Sequence, residues 1–313
     1  MLSIDVFLSE NQLTEEFLAA LQRHELPEKF FYWFPTSVRA WLNLCSDGAY
    51  RNFMRSQTLL QKHAADIAGQ LPPGEITVIS LGAGQGNKDL LVLEALRASG
   101  RMPHYVPFDA SQALLEMACE LASDSGFSCR GVKADLANAQ HLAAINEWTQ
   151  EAPRLVMILG NTLGAFDPLD YSAQLARLLR PQDHLLVDGE IFSTAATMSG
   201  YDNPLNRQFA FGPLRSLGLR EPEDGALQFE SDIDDRKPGL YRVRKHFRAA
   251  RDLTVLIAGE AIRWRAGERL EMNWSYKYAR ETFLDLLRVA GIALVARYVS
   301  DDERFLMALG RRS

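Results

Sequence analysis

Three glycines at alternate positions, Gly82, Gly84 and Gly86, follow directly on the apolar run Thr77-Val-Ile-Ser-Leu81. Glycine at that spacing lets the chain turn sharply and lets a ligand approach bare backbone. Lys88 stands just beyond the turn. Asp109 ends the next apolar run, His104-Tyr-Val-Pro-Phe-Asp109. A carboxylate at the tip of that second strand is placed to accept both hydroxyls of a ribose. The pattern is a pocket for a nucleoside ligand.

The third glycine position separates two such ligands. A dinucleotide fingerprint, Gly-x-Gly-x-x-Gly, puts glycine where this chain has Asn87. Gly82-Ala-Gly-Gln-Gly86 is the tighter spacing usual among S-adenosyl-L-methionine (SAM) methyltransferases. Lys88 and the amino-terminus of the following helix suit the carboxylate of a methionine tail. SAM is the expected cofactor, and a nicotinamide-dependent oxidoreductase is the rival that Asn87 weakens.

The elements that carry these residues follow from periodicity. A buried strand ends at Leu81, Asn87 is the expected cap of a helix over Asp89–Leu96, and a second strand ends at Asp109. Ser111 caps a helix to Ala122, a short strand covers Ser128–Lys133, and a helix runs from Ala137 to Gln150. Leu155–Leu159, a helix to Leu179 and the strand Asp183–Gly189 complete five β-α units. Strands alternating with helices imply a doubly wound parallel sheet with its ligand at the strand carboxyl ends.

Upstream, residues 3–25 read as one amphipathic helix, and Lys29-Phe-Phe-Tyr-Trp-Phe-Pro35 as an aromatic staple docking this arm. Helices are expected over Ser37–Leu44 and Tyr50–Ala68. After Gly189 comes a helical stretch with Tyr201, Phe209, Phe211 and Leu214, then an acidic run (Glu221–Asp224, Asp232–Asp235) read as a solvated loop. Strands are expected at 240–247, 253–258 and 268–274, the first alternating Tyr241, Val243 and Phe247 with Arg242, Arg244 and His246. A helix Arg280–Ala290 and a hairpin of Ala293–Tyr298 with Arg304–Leu309 close the chain. The fold class is α/β, a Rossmann-like sheet of class I methyltransferase type with an α+β accessory domain. Residues 71–191 and 276–313 form the core, and 1–70 and 192–275 the accessory domain.

The chain has 313 residues, a net charge of −6, 47% hydrophobic and 24% charged residues. That composition is ordinary for a globular protein. The acidic balance argues against a nucleic-acid partner, and no apolar run approaches membrane-span length. Cys45, Cys119 and Cys129 are odd in number, and the histidines lack metal-ligand spacing. A cytoplasmic, metal-free protein with a small-molecule partner is expected.

Five stretches together resemble the histidine-specific Nα-methyltransferases of the ergothioneine pathway. They are Phe30-Phe-Tyr32, Leu81–Lys88, Tyr105-Val-Pro-Phe-Asp109 with Ser111, Gly160-Asn-Thr-Leu-Gly164 with Phe166, and Asn273-Trp-Ser-Tyr-Lys-Tyr278. Tyr201-Asp202 is similar to that family's Tyr-Asp pair. The resemblance implies that Gly82, Gly84, Gly86 and Lys88 hold the methionine part of SAM. By the same resemblance Asp109 holds the ribose and Asp135 with Leu136 the adenine, and Asn161 joins the cofactor set. Tyr32, Tyr201 and Ser275 would face the amino acid, with Tyr32 also handling the proton.

Two positions depart from the family pattern. Ala165 replaces an asparagine that binds the substrate's amino and carboxyl groups, and Asn273 replaces a glutamate that binds histidine. A buried polar site loses discrimination with its donors and acceptors. The expected activity is SAM-dependent methylation of the amine of an amino acid or related small molecule other than free histidine. The alternative is a non-catalytic SAM-binding sensor or partner subunit.

Overall fold

The structure, a computed structural model, describes residues 2–47, 51–148 and 152–313. The expected helix start at Tyr50 and helix end at Gln150 lie outside these residues.

The first segment departs from the single helix expected over 3–25. Ile4–Val6 is a strand, β1, and α1 begins only at Glu10 and ends at Gln22. Ser9 makes the break: its hydroxyl accepts from the Gln12 amide while the Gln12 side chain returns to the Ser9 backbone, a capping box. A 3₁₀ turn, Glu28–Tyr32, leads to α2 (Pro35–Ser46) and α3 (Arg51–Gly69).

The α/β part follows in order: β2 (Glu75–Leu81), α4 (Asn87–Ala98), β3 (Met102–Asp109), α5 (Gln112–Asp124), β4 (Ser128–Cys129), β5 (Gly131–Lys133), α6 (Ala139–Trp148), β6 (Arg154–Ile158), α7 (Pro168–Leu178) and β7 (His184–Glu190). Helices α8 (Thr194–Tyr201), α9 (Pro204–Ala210) and α10 (Gly212–Ser216) come next. They precede β8 (Gly225–Ile233), β9 (Leu240–Ala249), β10 (Leu253–Ile257), β11 (Glu260–Trp264) and β12 (Arg269–Tyr278). Helix α11 (Arg280–Val289) and the hairpin β13 (Ile292–Val299) and β14 (Phe305–Arg312) end the chain.

The main sheet has the order β1-β5-β3-β2-β6-β7-β14-β13, with β4 beside β3. Its strands run parallel except for the closing hairpin, which pairs antiparallel onto β7 as expected. From β2 the chain moves outward through β3 to β5, then crosses back to β6 on the other side. The switch point therefore lies between β2 and β6, where a ligand crevice is expected. Both faces are covered. Ile79 and Leu81 pack with Leu175 and Phe283 on one side, and Ile76 and Val78 with Leu60, Val92 and Leu96 on the other.

A second core joins α1, the 3₁₀ turn, α9–α10 and β8–β12 through Phe17, Phe30, Phe31, Phe209, Phe211 and Phe247. The staple reading of the aromatic run holds for Phe30 and Phe31, both fully buried. Within residues 1–70, β1 hydrogen-bonds along β5 and α3 packs Leu59, Leu60 and Ile67 on the main sheet. These two elements sit with the sheet layers. The acidic stretch is not a free loop. Asp232 lies on β8 paired with Arg242, and Asp234 is buried against Arg236 and the Tyr276 hydroxyl.

Candidate active site

The glycine turn fills the switch point. Gly82, Gly84 and Gly86 all take positive φ, at 76°, 58° and 80°, which side-chain-bearing residues adopt at a cost. Gly86, not Asn87, occupies the cap position of α4, and Asn87 is already inside the helix. A Cβ on Gly86 would lie 3.0 Å from Ala118 Cα, whereas one on Gly84 would meet nothing within 4 Å. The cap makes no side-chain hydrogen bond, so the first amides of α4 stay available to an anion. These are the features a nucleoside with a charged amino-acid tail requires, and the residues fit SAM on that ground.

Asp109 is 8% exposed. Its two oxygens accept from the amides of Gly84 and Ser111, each at 2.9 Å. Burial pushes its pKa up, and the amide bonds oppose that rise. A carboxylate offers about four lone-pair sites. Bracing the turn therefore leaves acceptors for a ribose. Leu136 approaches the turn from below, its Cδ1 3.6 Å from a Cβ built on Gly82. Asp135 caps the Ala137 amide at 2.8 Å and binds Lys29 at 2.5 Å. Lys29 comes from the 3₁₀ turn, so the Asp135 side of the crevice is tied to the second core.

The Lys88 ammonium lies against Gly160, 2.5 Å from a Cβ built there, and 5.5 Å from the Phe53 ring centroid. It thus spans from the glycine turn to the β6 loop. Asn161, at φ 62°, is the hub of that loop. Its amide donates to Asp188 at 2.8 Å and its side-chain oxygen accepts from the Glu190 amide at 2.9 Å. Its side-chain nitrogen donates to Ser275 Oγ at 3.3 Å and the Tyr276 carbonyl at 3.2 Å. The Asn161 side chain is therefore turned to β12 and β7, joining the crevice to the second core.

Across that joint lies a cluster of polar side chains. Ser275 also accepts from Lys277 Nζ at 3.0 Å, and the Lys277 ammonium stands 5.2 Å from the Tyr201 ring centroid. Tyr201 is hydrogen-bonded to Ser275. Burial first, then the charge of Glu190, pushes its hydroxyl pKa up, so it stays a donor. Lys277 is fully buried and pairs with Glu190 at 3.1 Å, and Glu190 also accepts from Asn52 and Thr197. The Tyr32 hydroxyl donates to Glu28 at 3.0 Å, and Glu28 in turn acts electrostatically on Tyr201. Ala165 ends the 3₁₀ turn Thr162–Ala165, which presses on β12 so closely that a Cβ on Gly164 would come within 2.5 Å of the Tyr276 carbonyl. Asn273 lies in a β-bulge at φ 74°, and both polar atoms of its amide are buried without a partner among the described residues.

The expected acceptor residues Tyr32, Tyr201 and Ser275 are thus linked through Glu28 and Lys277, while Asn273 lies two positions before Ser275 on β12 outside that set of contacts and Ala165 offers no polar side-chain atom to it. Sequence reading missed Glu28, Glu190, Lys245 and Lys277. For Lys245 a signal existed, because it falls on the apolar parity of β9 with Val243 and Phe247.

Known proteins are similar to this chain over most of its length. The model of the histidine-specific, SAM-dependent methyltransferase family matches residues 13–312. An N-methyltransferase of Aspergillus fumigatus is 27% identical over 79% of this chain and 69% of its own length. One of Aspergillus flavus is 25% identical over 94% and 83%. A histidine N-alpha-methyltransferase of Mycolicibacterium smegmatis is 25% identical over 75% and 74%. With the glycine turn, Asp109 and the doubly wound sheet in place, SAM is the cofactor, and the chain belongs to the histidine-specific, SAM-dependent methyltransferase family.

Proposed function

We propose that this methyltransferase acts on the amine of an amino acid or related small molecule, and that free histidine is not its efficient acceptor. The observation that carries the reading is the cluster of polar side chains Tyr201, Ser275, Lys277 and Asn273 on one side of Asn161, which joins it to the glycine-turn side. Two of the relatives are named as N-methyltransferases without mention of histidine, which supports an amine acceptor of another kind. We assign residues 71–191 and 276–313, joined by β1 and α3, to cofactor binding. The remaining accessory segments supply the acceptor site. Three free cysteines support a reducing compartment, the cytoplasm.

Bound SAM supplies an electrophilic methyl group on a sulfonium. The turn of Gly82, Gly84 and Gly86 with Lys88 would hold its methionine part, Asp109 its ribose, and Asp135 with Leu136 its adenine. Alignment of the acceptor in a dry chamber is the main task of the protein. The acceptor amine arrives as an ammonium and must lose a proton. Tyr32 Oη and the Glu28 carboxylate are hydrogen-bonded to each other and form the route for that proton. Tyr201 and Ser275 orient the acceptor by hydrogen bonds. The histidine-binding asparagine and glutamate of the family are Ala165 and Asn273 here, so a charged histidine would be buried with fewer partners.

The test is release of S-adenosylhomocysteine from SAM with a panel of amines. Release with at least one amine, abolished in Tyr201→Phe/Ser275→Ala, supports the reading. Tight SAM binding without release from any amine supports the non-catalytic alternative instead.

A further inference from the structure

The second core contains a lysine, Lys245, that makes no ion pair among the described residues. Lys245 lies on β9, pointing to the same face as Val243, whose cross-strand partner is Ser275. It is 4% exposed. Its ammonium makes no hydrogen bond or ion pair among the described residues and stands 4.6 Å from the Phe31 ring centroid and 6.0 Å from that of Phe209. Phe209 packs on Tyr32 at 5.2 Å. Opposite Lys245, the β12 bulge between Glu271 and Trp274 carries Asn273, whose amide is also buried and unpartnered. Two polar side chains that make no hydrogen bond among the described residues thus lie on neighbouring strands, near Ser275.

Resting on the amine-methylation reading above, the geometry points to Lys245, with the Asn273 amide, as the binding site for a carboxylate on the methyl acceptor. A buried ammonium without a partner is costly, and an aromatic face compensates only in part. Burial, and then Lys277, lower the Lys245 pKa, while Glu28 opposes them. A ligand carboxylate would stabilise the charged form and gain a charge-assisted hydrogen bond. The Asn273 nitrogen donates a second one. Glu28, which acts on Lys245 electrostatically and accepts from Tyr32, is left for the amine end. The pair Glu28 and Lys245 therefore matches an acceptor that is cationic at one end and anionic at the other.

The experiment compares acceptors differing by one carboxylate, with wild type and Lys245→Met. Tyrosine against tyramine and tryptophan against tryptamine test an α-carboxylate. Glutamate against glutamine tests a side-chain one. S-adenosylhomocysteine release gives kcat/KM, and thermal stabilisation of the S-adenosylhomocysteine-bound protein gives binding without turnover. The wild type is expected to favour the carboxylate-bearing member of one kind of pair by about ten- to a hundredfold. Lys245→Met is expected to erase that preference while SAM still binds, and Lys245→Arg to keep part of it. Equal or better use of the carboxylate-free members by the wild type overturns the proposal, even if Lys245→Met fails to fold. An unchanged preference in a folded Lys245→Met protein overturns it as well. If no amine is methylated, the amine reading fails on its own. The carboxylate site is then judged by stabilisation, and the absence of any from either carboxylate class overturns it.

Discussion

Asp109 does two jobs with one carboxylate. It braces Gly84 and Ser111, and it keeps lone pairs for a ribose. Replacing it with alanine removes charge-assisted bonds each worth roughly 1.5–3 kcal/mol, and it frees the turn as well. SAM affinity by calorimetry should fall by at least that much, and unchanged affinity would remove Asp109 from the cofactor site. Lys277 and Glu190 are a different case, since both are buried and paired. Removing one partner of such a pair strands a charge, at a cost of about 3–5 kcal/mol. Lys277→Met should lower the urea midpoint accordingly. Adding Glu190→Gln should recover part of the loss, and purely additive losses would argue against the pair. Asp109 was legible in the sequence because its signal is local, a carboxylate closing a strand beside a glycine turn. Glu28 and Lys277 were not, because what they face depends on how the segments pack, and Lys245 was marked only by its place on the apolar parity of β9.

At the scale of elements, period-2 and period-3.6 patterns located β2 to β7, the intervening helices and the closing hairpin. They failed where a polar residue interrupts the pattern for a reason of its own. Ser9 separates β1 from α1, and the acids of β8 look solvated until Arg242, Arg236 and Tyr276 are seen to hold them. Helix α4 carries two predictions. Gly86→Ala places a Cβ against Ala118 at positive φ, so it should destabilise the protein by about 1–2 kcal/mol and weaken SAM binding; an unchanged melting temperature would contradict the required turn. Asp89, buried in the first turn and bonded to the Tyr105 hydroxyl, has its pKa raised by burial to about 6. A carboxyl with a raised folded pKa binds its proton more tightly in the native state than in the unfolded chain. Its contribution is therefore most favourable below about pH 4 and is lost as pH rises through 6. Asp89→Asn should gain on the wild type by roughly 2–3 kcal/mol between pH 4 and pH 7.5. Urea midpoints across that range check it, and a flat difference would refute a raised pKa.

The whole molecule works as two cores sharing one seam. Asn161 stitches the β6 loop to β12, and Lys29 reaches from the 3₁₀ turn to Asp135. The second link implies that the accessory side contributes to cofactor retention. Lys29→Ala should raise the SAM dissociation constant severalfold and also lower the melting temperature, since the pair is largely shielded from water and its loss strands the Asp135 carboxylate. The doubly wound parallel sheet and the ligand loops at its strand carboxyl ends were readable from the alternation of strand and helix patterns, whereas the strand order was not. The seam was not, because Asn161, Ser275 and Glu190 meet only after β12 docks beside β7. Ala165 and Asn273, by contrast, were visible as departures from the family pattern, and the structure places an unpartnered amide at one of them. The central claim is that this scaffold transfers a methyl group from SAM to an amine other than histidine. The most direct measurement is a mass-spectrometric competition, with histidine and the best amine of the panel offered together at micromolar concentration with SAM. The account predicts methylated amine, with turnover efficiency on histidine lower by roughly a hundredfold or more. Robust formation of trimethylhistidine in that mixture would contradict it.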